Sequence, residues 1–151
     1  MSLASAVREL EGYLEQEIEA QRMLLSIVAA QEQAVLAGDT AGVVRATGEL
    51  ERELSGGVAR EKIRRRLLDE FGSHFTVVPK TLTLSSIVER LGPHAGRIGE
   101  LRRELRGVAG DVMRGSRKLS SVAKYHQGLV SEVLSMLSPE GGEGALVHVE
   151  A

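Results

Sequence analysis

Apolar residues recur at intervals of three and four along two long stretches of the N-terminal half of the chain. The first stretch carries Leu3, Val7, Leu10, Leu14, Ile18, Leu25, Val28 and Leu36. The second carries Val43, Leu50, Leu54, Val58, Ile63, Leu67, Leu68 and Phe71. This spacing is typical of amphipathic helices, and it predicts one helix over about 2–37 and another over about 41–71, ended by Gly72.

The two predicted helices are separated only by Gly38 and Asp39. Glycine at the end of a helix adopts the left-handed conformation without a steric cost, which makes Gly38 the predicted C-terminal cap. Asp39 or Thr40 can then cap the next helix by accepting from its free N–H groups. So short a connection predicts a hairpin turn at Gly38 and Asp39 between antiparallel helices. A single kinked helix is the alternative.

The C-terminal half predicts a connector, a short helix and a third long helix. Pro79 disfavours a central strand, so 73–83 is predicted to be an extended connector. Residues 84–91 form a short helix capped by Thr83, and 95–137 form the long one, stopped by Ser138-Pro139. The fold class is therefore all-α, an antiparallel hairpin plus a third long helix in a three-helix coiled-coil-like bundle. One domain spans 1–137, and the acidic, glycine-rich 138–151 form a mobile tail.

The last helix carries a sustained heptad seam. Its members are Ile98, Leu101, Leu105, Val108, Val112, Gly115, Leu119, Val122, His126, Leu129, Val133 and Met136. A second apolar edge of Val130, Leu134 and Leu137 lies beside the end of this seam. The resulting stripe is wider than one helix–helix seam needs, and it suits capture of a partner helix in a groove. An empty stripe of this kind also favours self-association.

Candidate chemistry changes this interpretation little. The chain has no cysteine, which excludes disulfides, thiolate metal sites and cysteine nucleophiles. Its four histidines have no second histidine or carboxylate at a convincing ligand spacing. We therefore expect no catalytic site, no metal and no cofactor. No apolar run is long enough to cross a bilayer and the N-terminus does not resemble a signal peptide, so we expect a cytoplasmic protein.

Two basic clusters lie in predicted helices, at 60–70 and at 102–106. Phosphate contact by Arg64, Arg65, Arg66, Arg102, Arg103 and Arg106 is one interpretation. Both clusters are interleaved with acidic residues and lack stacking aromatics, and the net charge of the chain is −2. A solvated or partner-facing helix surface is therefore favoured over a nucleic-acid site.

Three motifs in order resemble the FlgN-type flagellar export chaperones. They are "AVLAGDTAGVV" at 34–44, "REKIRRRLLDEFG" at 60–72 and "TLTLSSIVERLG" at 81–92, followed by a long last helix and a glycine-rich tail. The leucine–small–Gly–Asp turn of that family is matched at 36–39. Its Glu-x-x-Arg, leucine pair and glycine are matched by Glu61, Arg64, Leu67, Leu68 and Gly72.

The resemblance implies a non-enzymatic cytoplasmic chaperone for the hook–filament junction (hook-associated) proteins, whose C-terminal helices bind the late part of the last helix. The residues expected to bind this partner are Leu119, Val122, Tyr125, His126, Leu129, Val130, Val133, Leu134, Met136 and Leu137. The flagellar export gate is a further implied partner, although 138–151 lack the tyrosine–glycine motif that some members carry.

Two other functions remain open at this stage. The first is a structural coiled-coil protein whose long seam drives homo-oligomerisation, so that the wide stripe is a self-interface. The second is a helical nucleic-acid-binding protein that uses the arginines of the two basic clusters.

Overall fold

The computed structural model describes residues 1–137, with His126, Leu129 and Val130 described by their backbone alone. Over this range the chain is all-α, as predicted, and consists of a helical hairpin, a short helix and a third long helix. The helices are α1 (Leu3–Ala37), α2 (Thr40–Phe75), α3 (Leu84–Leu91) and α4 (Ile98–Leu137), with single 3₁₀ turns at Pro79–Thr81 and Gly92–His94. The predicted mobile tail, 138–151, lies outside the described residues.

The hairpin turn is made by Gly38 and Asp39. Gly38 has a left-handed backbone with φ +67°, and its N–H donates to the carbonyl of Val35 at 3.2 Å. The Oδ1 atom of Asp39 accepts from the N–H of Gly42 at 2.9 Å and caps α2. Both residues thus have the conformations that the sequence predicts, and the chain reverses direction within two residues.

The prediction that Gly72 ends the second helix is wrong. α2 continues to Phe75, and its C-terminal cap is Thr76, which has the left-handed φ of +55°. Gly72 is helical and buried, and a Cβ at this position would lie 2.8 Å from Cγ of Pro79. The glycine is therefore needed for close approach of the connector that follows the helix and not for a turn.

The connector is also more ordered than the extended segment predicted for 73–83. Its first three residues belong to α2, and Pro79 begins a 3₁₀ turn whose fixed φ suits the first helical position. Leu82 then enters the core. α3 occupies the predicted residues and is capped by Thr83, whose Oγ1 accepts from the N–H of Ser86 at 3.1 Å.

α4 begins at Ile98, three residues later than predicted, because Gly92–His94 form a 3₁₀ turn before it. Its first turn is capped by another helix. The N–H of Arg97 donates to Oε1 of Glu11 on α1 at 2.8 Å, and the guanidinium of Arg97 pairs with Glu15 at 2.7 Å. A carboxylate at the N-terminus of a helix opposes the positive end of its dipole, so this contact fixes the start of α4 against α1.

α1 is the central helix of the bundle, since α2 and α4 pack along it and make little backbone approach to each other. α2 is antiparallel to α1, whereas α4 is parallel to it. The main core lies at the end of the molecule that contains the first half of α1. Its buried members include Leu10, Leu14, Ile18, Leu67, Phe71, Leu82, Ile87, Leu91, Ile98 and Leu101.

Candidate partner-binding surface

α4 is longer than the helix against which it packs. Arg97 contacts Glu11, which lies 86 residues earlier in the sequence. Lys118 is likewise 86 residues after its partner Glu32, and its Nζ atom lies 3.0 Å from Oε1 of that residue. Extending this register places Gly38, where α1 has ended, level with about residue 124 of α4. Residues 125–137, here called the overhang, therefore extend about 20 Å beyond the hairpin turn at 1.5 Å per residue.

Burial along the predicted seam falls from the start of α4 to its end. Ile98 and Leu101 are buried in the core. The members from Leu105 to Val122 are half-buried against α1, and a Cβ at Gly115 would lie 3.2 Å from Cγ1 of Val28. Beyond the end of α1 the seam members Val133 and Met136 are exposed. The apolar pattern thus continues where the intramolecular partner stops.

The structure divides the predicted binding residues into three groups. Leu119 and Val122 are half-buried beside the end of α1. The exposed fractions in the overhang are 75% for Tyr125, 49% for Val133, 38% for Leu134, 82% for Met136 and 74% for Leu137. The side chains of His126, Leu129 and Val130 lie outside the described residues. The exposed members are brought together on one projecting helix, separate from the core.

The overhang presents its apolar side chains over a wide arc. Successive residues of an α-helix are about 100° apart, which places Met136 and Leu134 about 160° apart around the axis, with Val133 and Leu137 between them. A single packed seam covers a narrower arc than this. The surface is therefore wide enough to contact a helix, or two, from another molecule.

Leu36 lies beside this surface and is not among the predicted binding residues. It is 58% exposed and lies one helical turn beyond Glu32, the residue of α1 that pairs with Lys118. It therefore lies on the α4-facing side of α1, at the base of the overhang. The sequence signal was present, since Leu36 is the last apolar residue before Gly38, but its exposure depends on where α4 lies.

Charge is nearly absent from the overhang. Glu132 is the only charged side chain in 125–137 when His126 is neutral, and Lys124 precedes the segment. Among the side chains that the structure describes, Glu132 forms no ion pair. Recognition by this surface would depend on apolar contact rather than on electrostatic steering.

The first basic cluster is engaged within the chain. Arg64 donates to both carboxylate oxygens of Glu61 at 2.8 and 2.7 Å, Arg65 donates to Oε1 at 3.0 Å, and these bonds lower the pKa of Glu61 to about 2. Arg66 donates to Glu9 of α1 at 2.6 Å. Each of these three arginines thus has a carboxylate partner, and Arg64 and Arg65 share the same one.

The second basic cluster differs from the first. Arg102, Arg103 and Arg106 form no ion pair within residues 1–137, and the latter two are exposed. They lie on α4 near the core end of the molecule, more than 25 Å along the helix from the centre of the overhang at about 1.5 Å per residue. A polyanion site would therefore be separate from the apolar surface.

The described part of the chain contains no candidate metal centre. Across residues 1–137 no three histidine, aspartate or glutamate side chains are grouped closely enough to hold a metal ion. Over the same range no helix has the length and hydropathy required to cross a membrane. Comparisons with models of protein families, with curated proteins and with solved structures find no match for this chain. The case for a function therefore rests on the overhang and on the resemblance of the motifs.

Proposed function

We propose that the protein is a cytoplasmic chaperone of flagellar type III export that binds the C-terminal helices of hook–filament junction proteins. In this role it keeps its clients unassembled before export. The observation that carries the proposal is the overhang, an apolar helix that extends about 20 Å past the hairpin turn and beyond the end of α1. The motif resemblance indicates the class of client.

The packing of α1 against α4 suggests how a client binds. Along 98–122 the seam of α4 is covered by α1, and the same seam continues through Val133 and Met136 after α1 has ended. A client helix can pack along α4 beyond the end of α1, in line with α1. One end of the client helix would then lie near Leu36. Each apolar side chain that is buried in this way contributes about 1.5–3 kcal/mol before the costs of association are subtracted.

The chemistry of the surface fits the C-terminal helices of filament-forming subunits. In the proposed role, the overhang shields the aggregation-prone terminal helices of the clients before export. A nearly neutral, wide apolar helix covers them without selecting for a particular charge pattern. A role at the export gate is part of the same proposal, but the tail on which it would depend lies outside the described residues.

A pull-down with the purified hook–filament junction proteins of the same bacterium tests the proposal. We expect a complex at micromolar concentration. The double variant Val133→Asp/Leu137→Asp should abolish it, because two carboxylates would be buried in the interface. A matched control, Val44→Asp/Val58→Asp, changes two exposed valines of α2, 66% and 62% exposed, and should bind as the wild type does.

Helix content measured by circular dichroism should be the same in both variants and in the wild type. If no hook–filament junction protein binds at micromolar concentration, the proposal is wrong. If the α2 control loses binding as completely as the overhang variant, the client surface has been placed on the wrong helix.

Self-association through the overhang is the second candidate function, and the same exposed stripe favours it. In that case the chain is a structural coiled-coil protein, or a homo-oligomer when it is free of client. Light scattering distinguishes the two functions. A tight oligomer that does not change with dilution or with added client would favour the structural role, whereas a client-dependent change to a mixed complex would favour the chaperone.

A further inference from the structure

We infer that the overhang is a weak helix that is only partly formed in the free chain and completes its folding when a client binds. The second half of this inference, the completion of the helix when a client binds, rests on the proposed function. Its first half, partial helix formation in the free chain, stands on the composition and packing of 125–137 alone.

Gly128 provides the first argument. It lies in the middle of α4's overhang, and a Cβ at this position would meet nothing within 4 Å. Gly115, by contrast, sits 3.2 Å from Val28 when given a Cβ, so that glycine permits two helices to approach closely. Packing within the chain thus explains Gly115 but not Gly128. Among residues other than proline, glycine is the weakest helix former. Gly128 therefore weakens the overhang, and no close helix approach at this position requires a glycine.

The rest of the overhang is mixed in helix propensity. Two valines, two serines, a tyrosine and a histidine are weaker helix formers than the three leucines, the methionine, the glutamine and the glutamate beside them. The last turn of α4 contains no basic residue to offset the negative end of the helix dipole. Its one charged side chain, Glu132, has no ion-pair partner among the described side chains.

Packing on α1 does not compensate for this weakness. α1 ends level with about residue 124, and the described large apolar side chains that follow, Tyr125, Val133, Leu134, Met136 and Leu137, are exposed. Most helical stability in proteins comes from packing of an amphipathic face, and these side chains do not provide it in the free chain. A bound client helix supplies the missing face, so its binding and the completion of α4 are coupled.

Hydrogen exchange of the free chain tests the first half of the inference. Backbone amides in 129–137 should be protected at least about tenfold less than those in 105–122, because only the latter belong to a helix packed on α1. Equal protection in the two ranges would overturn the inference. This measurement needs no client, so it gives an answer even if the proposed function fails.

The variant Gly128→Ala tests the coupling, and Gly107→Ala is its matched control. Gly107 also lies in α4 with open space at its Cβ, but it is in the part of the helix that packs on α1. Gly128→Ala should raise the protection of 129–137 by about threefold to fivefold, and Gly107→Ala should leave it unchanged.

The affinity for client should follow the same pattern. With the hook–filament junction protein retained in the pull-down as the probe, Gly128→Ala should lower Kd by about threefold to fivefold, because less of the binding energy is used to complete the helix. Gly107→Ala should leave Kd within error of the wild type. If both variants bind as the wild type does while exchange shows a frayed overhang, folding and binding are not coupled and the second half of the inference is wrong.

Discussion

Replacing Gly72 with alanine is predicted to destabilise the protein by about 2 kcal/mol, although glycine lies in the interior of a helix. Alanine alone would favour α2 by about 1 kcal/mol relative to glycine. The new methyl group, however, would lie 2.8 Å from Cγ of Pro79 and 3.0 Å from the carbonyl oxygen of Val77, well inside the normal contact distance of about 3.5–4.0 Å. Pro79 is held by a 3₁₀ turn, and Val77 is held by the hydrogen bond from its N–H to the carbonyl of Gly72 at 3.0 Å. The overpacking cost should therefore be near the upper end of its range, about 3 kcal/mol.

Urea unfolding followed by circular dichroism measures this free energy, and Gly107→Ala is again the matched control. Because open space surrounds Gly107, its replacement should stabilise the protein by up to about 1 kcal/mol. The double variant Gly72→Ala/Pro79→Ala should recover part of the loss, since the ring that causes the clash is removed. If Gly72→Ala and Gly107→Ala are equally stabilising, the close approach of the connector to α2 is refuted.

Three further changes have definite expected outcomes. Thr76→Gly should raise the free energy of unfolding, measured with urea, by about 1 kcal/mol, because an exposed β-branched residue at φ +55° is strained. A variant less stable than the wild type would contradict this expectation. The carboxyl of Glu61 should titrate by NMR with a pKa of about 2, below its ordinary 4.5. Its contribution to stability is therefore complete above pH 4.5 and is lost as the pH falls towards 2. A titration near 4.5 would show that the bonds from Arg64 and Arg65 do not persist in solution. Gln31→Leu should stabilise the hairpin by about 1 kcal/mol, because Gln31 is buried and, within the described residues, makes only a long hydrogen bond of 3.4 Å to Thr47. A loss of stability in the same unfolding assay would show that this hydrogen bond matters.

The sequence was sufficient to predict the local features of the fold. The caps formed by Asp39 before α2 and by Thr83 before α3 depend on contacts within four residues, so they could be predicted from the neighbouring sequence. The end of α2 could not, since Gly72 serves a contact with Pro79 and the left-handed cap is a threonine. The start of α4 was also placed wrongly, because its cap comes from Glu11 on a different helix.

The candidate surface also has one feature that the sequence predicts, its apolar pattern, and one that it does not, the point at which burial ends. The apolar pattern of the seam runs evenly from Ile98 to Met136, and nothing in that pattern indicates that burial stops near residue 124. The limit is set by the register between α4 and α1, which depends on pairs such as Arg97 with Glu11 and Lys118 with Glu32. Pairing across so many residues is a property of the folded chain, and the exposure of Leu36 follows from it in the same way.

The parallel arrangement of α1 and α4 also determines the order in which the molecule can form. The hydrogen bond between Gln31 of α1 and Thr47 of α2 spans only 16 residues, so the turn end of the hairpin can fold while the chain is still being synthesised. The polar contacts of α1 with α4 and its N-cap span 82 to 86 residues and must wait until the last helix has left the ribosome. The carboxylates of α1 that contact the start and the middle of α4, Glu11 and Glu32, therefore lack these partners during most of translation. The overhang proposed to bind clients is therefore synthesised only after α1 and α2 are complete.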